Sequence, residues 1–157
     1  MRNVYRVLAG LVALGVVVQA AAIVYAVAGL GKWIDDGHTA NADIFEDDSL
    51  SFTGLGGFML HGMNGMMVIP VLALLLLIVS FFAKVPGGVM WAGLILLDVI
   101  VQVMLGLFGH EVPAIGALHG INALILFGLA VTASMRAKEP AATADSTASV
   151  SGTTTHV

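Results

Sequence analysis

Four long apolar stretches, separated by polar or glycine- and proline-rich links, set the plan of this chain: residues 4–30, 52–82, 89–108 and 114–133. At a helical rise of about 1.5 Å per residue, each is long enough to cross a hydrocarbon core of roughly 30 Å. The first link, residues 32–51, turns abruptly polar, with Asp35, Asp36, Asp43, Glu46, Asp47 and Asp48 punctuated by Gly37 and Asn41. It reads as a loop outside the membrane, and it lacks the ligand order around a glycine turn that a calcium loop needs. Lys84-Val85-Pro86-Gly87-Gly88 predicts a tight reversal, and Pro113 sits where proline opens a helix. Pro70 falls inside the second stretch and predicts a mild kink below His61. The pattern predicts an all-α, integral membrane, up-down-up-down four-helix bundle over residues 1–137. Residues 138–157, rich in Ala, Ser and Thr without periodicity, predict a disordered tail.

The two halves repeat. Helices one and three carry Val18-Gln19 and Val101-Gln102, and helices two and four carry His61-Gly62-Met63-Asn64-Gly65 and His119-Gly120-Ile121-Asn122-Ala123. The chain is therefore two copies of one hairpin, the first with a longer connection. In such a bundle helices two and four stand at diagonal corners, so His61 and His119 meet at one depth. Asn64 and Gly65, like Asn122 and Ala123, lie three and four positions on and share the histidine's face, the small residue clearing space beside the ring.

Composition narrows the class further. Hydrophobic residues make up 59% and charged residues 10% of the chain, a membrane composition with no basic stripe for nucleic acid. The absence of cysteine removes thiolate metal sites, iron–sulfur clusters and covalent haem attachment. Arg2, Arg6, Lys84, Arg136 and Lys138 lie on one side of the four-span plan and Lys32 on the other, which predicts both termini in the cytoplasm of a plasma-membrane protein. Arg2, Arg6 and Ala20-Ala21-Ala22 also fit a cleaved secretory signal, but the apolar run continues to Leu30 and its removal would destroy the repeat.

Ionisable and strongly polar side chains inside hydrocarbon are costly and point to function. Asp98, Gln102, Gly106 and Gly109 form a polar-and-small stripe that should face the bundle interior. Asp98 lies about 16 Å below the outer end, where it reads as a neutral acid hydrogen-bonded to a neighbouring helix or as a proton-handling group. Two imidazoles on facing helices suit a b-type haem iron ligated from both sides, with Gln19, Gln102, Asn64, Asn122, Gly65, Ala123 and Gly106 lining the slot. Zinc or copper usually recruits three or four protein ligands. Met59, Met63, Met66 and Met67 cluster away from His61 and read as adaptable packing. The alternative for the histidines is a pair of helix-packing hydrogen bonds. His38 and His156 read as solvated, and His110 with Glu111 as exposed in the outer link.

The run Gln102-Val-Met-Leu-Gly106, then Pro113 and Ala117-Leu118-His119, resembles the third and fourth helices of a haem A synthase half-domain. That resemblance implies a four-helix bundle ligating haem through His61 and His119. The carboxylate which that family carries one turn before its first-half histidine has no counterpart here, where Gly57 and Phe58 stand. The chain is also similar to a group of small four-helix bacterial membrane proteins with the same Gln…His…Gln…His plan. The expectation is a membrane haem protein in electron transfer or haem handling, with a redox partner or quinone and homo- or hetero-oligomers in the membrane. The rival is a non-enzymatic accessory or assembly subunit.

Overall fold

A computed structural model describes residues 1–41, 44–46, 49–109 and 111–138. Its helices are α1 (Arg2–Asp35), α2 (Leu55–Ala83), α3 (Gly88–Gly109) and α4 (Pro113–Arg136), with a single 3₁₀ turn at Ile44–Glu46. All four are long and apolar enough to span a membrane, and only 11 to 28% of their most apolar windows is buried inside the protein. Their remaining apolar surface therefore needs lipid. Each helix packs on its two chain or ring neighbours, α1 on α2 and α4, α3 on α2 and α4. The result is a square bundle with α2 and α4 diagonal, the expected up-down-up-down arrangement.

The helix limits differ from the sequence expectation at both ends of the long link. Residues 32–35 are the last turn of α1 rather than loop. That turn is held beyond the apolar span by a Lys32–Asp36 ion pair and by Trp33, which stacks on His38 at 4.5 Å and meets Phe52 at 5.9 Å. His38 is exposed yet anchored, its Nδ1–H donating to the Trp33 carbonyl at 2.9 Å. Phe45 packs edge-on to Phe58 at 5.1 Å and pins the link to the start of α2. Asp43, Asp47, Asp48, His110, His156 and the 139–157 tail lie outside the described residues.

Two turns depend on local backbone chemistry. Gly54, with φ +104°, opens α2 where a Cβ would stand 2.6 Å from the Tyr25 carbonyl oxygen, so only glycine lets α1 and α2 approach there. Lys84 takes the left-handed conformation, φ 51°, that ends α2 and aims the chain into the Pro86-Gly87 reversal.

The core sits toward the end carrying Arg2, Arg6, Lys84 and Arg136, here the basic end. Tyr5, Val12, Leu76, Ile95 and Leu126 are its largest fully buried side chains. The Tyr5 hydroxyl donates to the Gly88 carbonyl at 3.0 Å, tying the start of α1 to the start of α3 across the bundle. Toward the acidic end full burial within the helices is confined to α1 and α2, at Ala22, Ala26 and Gly57. No residue of α3 beyond Val99, and none of α4 before Leu126, is fully buried.

The kink expected near Pro70 takes the form of a π-helical turn at Asn64–Val68, where the Ile69 N–H bonds back to the Asn64 carbonyl. Proline lacks an N–H and crowds the preceding turn, and an inserted residue relieves that strain. It also sets register. The buried residues of α2 run Gly57, Asn64, Ile69, Ala73, Leu76, Ser80 and Ala83. The five-residue step from Asn64 to Ile69 falls on the π turn, so the polar motif and the apolar core face stay on one side. In α4 the motif and the core need no such step: Asn122 and Leu126 are four apart.

The contrast between two neighbouring glycines is testable. Gly54→Ala should cost about 1–3 kcal/mol for its positive φ and blocked Cβ. Gly56→Ala, where a Cβ meets nothing within 4 Å, should be neutral or stabilise by up to about 1 kcal/mol. Thermal unfolding of the detergent-solubilised variants reads both.

Candidate functional site

The repeat seen in the sequence becomes a repeat of hydrogen bonds. In the first hairpin His61 Nδ1 lies 3.1 Å from the Gln19 carbonyl, and Asn64 Nδ2 donates to the Gly15 carbonyl at 3.0 Å and to Gln19 Oε1 at 3.2 Å. In the second, His119 Nδ1 lies 2.9 Å from the Gln102 carbonyl, and Asn122 Nδ2 donates to the Asp98 carbonyl at 3.4 Å and to Gln102 Oε1 at 2.8 Å. Gly15 and Asp98 each stand four residues before their glutamine. The same three bonds, to the same relative positions, recur in both copies.

The chemistry of these bonds fixes the imidazole tautomers. A carbonyl can only accept, so Nδ1 carries the proton in both rings, and in the neutral ring Nε2 holds the lone pair. The accepting carbonyls belong to helical residues, and each oxygen has a second lone pair to give without surrendering its helix bond. His61 makes this one hydrogen bond among the described residues. His119 is held further, since Gln102 Nε2 donates both to His119 Nε2 at 3.2 Å and to the His119 carbonyl at 3.1 Å.

Across the bundle the two rings face one another, centroids 6.2 Å apart and planes inclined at 62°. The expectation that diagonal helices bring His61 and His119 to one depth therefore holds geometrically. Both rings, both glutamines and Asn122 are half-buried, whereas Asn64 is buried at 7% exposure beside the π turn. The site lies toward the acidic end of the bundle, where the residues of α3 and α4 are partly buried or exposed.

The small residues act differently from the expectation. A Cβ on Gly65 would collide with Gln19 Nε2, so this glycine makes room for the glutamine amide rather than for the imidazole. Ala123 packs against the apolar core. The residue that clears space for a ring is Gly106, where a Cβ would stand 3.0 Å from His119 Cε1. One turn further, Gly109 abuts Gly116, with a Cβ 2.8 Å from the Gly116 Cα, so the polar-and-small stripe of α3 is its contact line with α4. Gly15 has the matching role in α1, lying under Ile69 with a Cβ 2.9 Å from Ile69 Cγ1. That role was not visible in the sequence, although its four-residue offset from Gln19 was a signal.

Asp98 occupies in the second copy the place of Gly15 in the first. Its carboxyl oxygen Oδ2 is buried and has no hydrogen-bond partner among the described residues. Met59, Met63, Met66 and Met67 are 52 to 68% exposed, so they line the outside of α2 rather than filling gaps within the bundle. Among the described residues no group of three or more His, Cys, Asp or Glu side chains gathers as a metal centre. What the site offers is two imidazoles, two primary amides per hairpin and one carboxyl group below them.

If both asparagines clamp their hairpins, Asn64→Ala and Asn122→Ala should each destabilise the bundle by about 0.6–2 kcal/mol, the range for hydrogen bonds between membrane helices. The buried Asn64 should stand at the upper end, because its loss strands the Gln19 amide beside the π turn. Thermal melts in one detergent measure the pair. No family model, curated protein or solved structure matches the chain.

Proposed function

We propose that the protein is a plasma-membrane b-type haem protein in electron transfer or haem handling, with His61 and His119 as the two axial ligands. The observation that carries this reading is the 6.2 Å separation of the two imidazole centroids. With metal–nitrogen bonds of about 2 Å and about 1.1 Å from nitrogen to ring centre, two imidazoles on opposite sides of one iron would stand roughly 6.2 Å apart. The tautomers agree with the reading, since each Nδ1–H is committed to a backbone carbonyl and each Nε2 keeps its lone pair. A histidine ligand typically donates its other ring N–H to a carbonyl or carboxylate in this way. The half-buried acidic end and the glycines of α3 favour a flat ligand there over the packed basic end. The resemblance to haem A synthase, carried by Gln102 to Gly106, Pro113 and Ala117 to His119, points to the same two positions.

A bound haem would supply one-electron chemistry. The chain's own residues would orient the imidazoles through Gln19 and Gln102 and exclude lipid from the polar centre. Gln102 Nε2 must leave His119 Nε2 for the iron to bind there. A single iron near one face does not span the membrane, so a redox partner or quinone is required on that face.

A second reading draws on that same Gln102 bond: the clamps are complete without a ligand, and the protein is an accessory or assembly subunit whose polar residues fix helix packing. A spectrum separates the two. On the haem reading, protein purified in mild detergent from cells fed haem precursor shows a low-spin b-type spectrum. His61→Ala and His119→Ala each abolish it or convert it to high-spin. On the packing reading the wild type is colourless, and either substitution costs only about 0.6–2 kcal/mol.

The orientation follows from the cations of the basic end. Reporter fusions should place both termini in the cytoplasm and residues 36–51 outside. Periplasmic activity of an amino-terminal fusion would reverse the assignment and move the histidines to the cytoplasmic face.

A further inference from the structure

At the basic end, a shallow, open cleft of about 540 Å³ lies over the contact between α1 and α4, lined by Asn3, Arg6, Val7, Gly10 and Ser134. Three features of this cleft point to one kind of ligand. The first is charge. Among the described residues Arg6 has no carboxylate partner, and the ion pair formed elsewhere, Lys32–Asp36, is at the opposite end. Asp35, Asp36 and Glu111 belong to that opposite end and Asp98 to mid-span, so no described acidic side chain stands beside Arg6. The cation nearest in α4, Arg136, is turned away and lies 4.9 Å above the Trp91 ring on α3.

The second feature is the polar lining. The Ser134 hydroxyl donates to the Arg6 carbonyl at 3.2 Å, fixing α4 against the first turns of α1, and the Arg6 guanidinium has no side-chain partner among the described residues. Asn3 adds an exposed amide one turn before Val7. A guanidinium beside amide donors matches a phosphodiester, whose oxygens accept paired hydrogen bonds.

The third is the apolar continuation. Asn3, Val7, Gly10, Leu14 and Val17 follow one helix face, and Val7, Leu14 and Val17 are exposed along it. Gly10 interrupts that ridge with a notch, since a Cβ there would meet only Ser134 Oγ, at 3.9 Å. An acyl chain can lie in the notch and run up α1 while its headgroup stays at the polar mouth.

We propose that this cleft binds one anionic phospholipid, its phosphate on Arg6 and Asn3 and an acyl chain along Val7, Gly10 and Leu14. Basic pockets between membrane helices recognise lipid headgroups by this combination of cation and apolar wall. The site is independent of the histidine pair and of any haem.

Native mass spectrometry of the full chain in mild detergent, titrated with equal phosphatidylglycerol and phosphatidylcholine, tests it. The wild type should retain phosphatidylglycerol over phosphatidylcholine by roughly fivefold, the expected contribution of one well-placed cation. Arg6→Gln should bring the ratio near parity, and Arg6→Lys should retain part of it. Gly10→Leu, which fills the notch, should lower retention of both lipids, whereas Lys84→Gln, at the same end but on another face, should change nothing. An unchanged ratio in Arg6→Gln would overturn the proposal. So would an equal loss in Lys84→Gln, which marks a diffuse basic collar. Displacement by millimolar inorganic phosphate without any lipid preference would identify a free-anion site and overturn it too.

Discussion

Hydrocarbon offers no hydrogen bonds, and that constraint organises the whole molecule. Every donor carried into the span must find an acceptor within the protein, and the only abundant acceptors there are helix carbonyls with a spare lone pair. The structure meets this with a clamp of one glutamine, one histidine and one asparagine, in which imidazole and amide donors land on the carbonyls of the opposing helix. Because polar side chains bridge α1 to α2 and α3 to α4 in the same manner, each hairpin is joined internally by its own clamp. Tyr5 and the apolar residues of the basic end then join one hairpin to the other.

The duplication is clearest where it is broken. Gly15 gives way to Asp98, which adds a buried, unpartnered carboxyl oxygen to one copy only. The first copy carries Pro70 and compensates with a π turn, while the second runs as regular helix through the same motif. Gln102 donates twice to His119, whereas His61 keeps only its bond to Gln19. These differences leave two imidazoles in different hydrogen-bonding states at the centre of an otherwise symmetric frame.

Much of this was legible because membrane helices declare themselves by length and apolarity, and because a repeated motif gives two readings of one arrangement. His61, His119, Gln19, Gln102, Asn64 and Asn122 all fall in the clamp, the asparagines on the histidines' face as the spacing of three implied. The partners that sequence could not name were backbone atoms: the Gly15, Gln19, Asp98 and Gln102 carbonyls carry no residue signature. The roles of the small residues were also hidden. Whether a glycine admits a ring, an amide or another helix depends on what stands opposite, which separates Gly106 from Gly65 and Gly109. The π turn left one trace, the five-residue step between Asn64 and Ile69, readable only once both are known to face inward.

The uneven packing of the bundle follows from the same constraint. Apolar side chains interdigitate at the basic end, where Tyr5, Leu76 and Ile95 exclude solvent entirely. Toward the acidic end the interior positions of the clamps are given to amides and imidazoles, whose directional bonds join the helices where α3 and α4 bury no large apolar side chain. His61 Nε2 makes no hydrogen bond among the described residues, while His119 Nε2 accepts one from the Gln102 amide. On the haem reading both Nε2 atoms would hold the group, His119 at the cost of that bond, so Gln102 is the residue that would set how firmly its side is held.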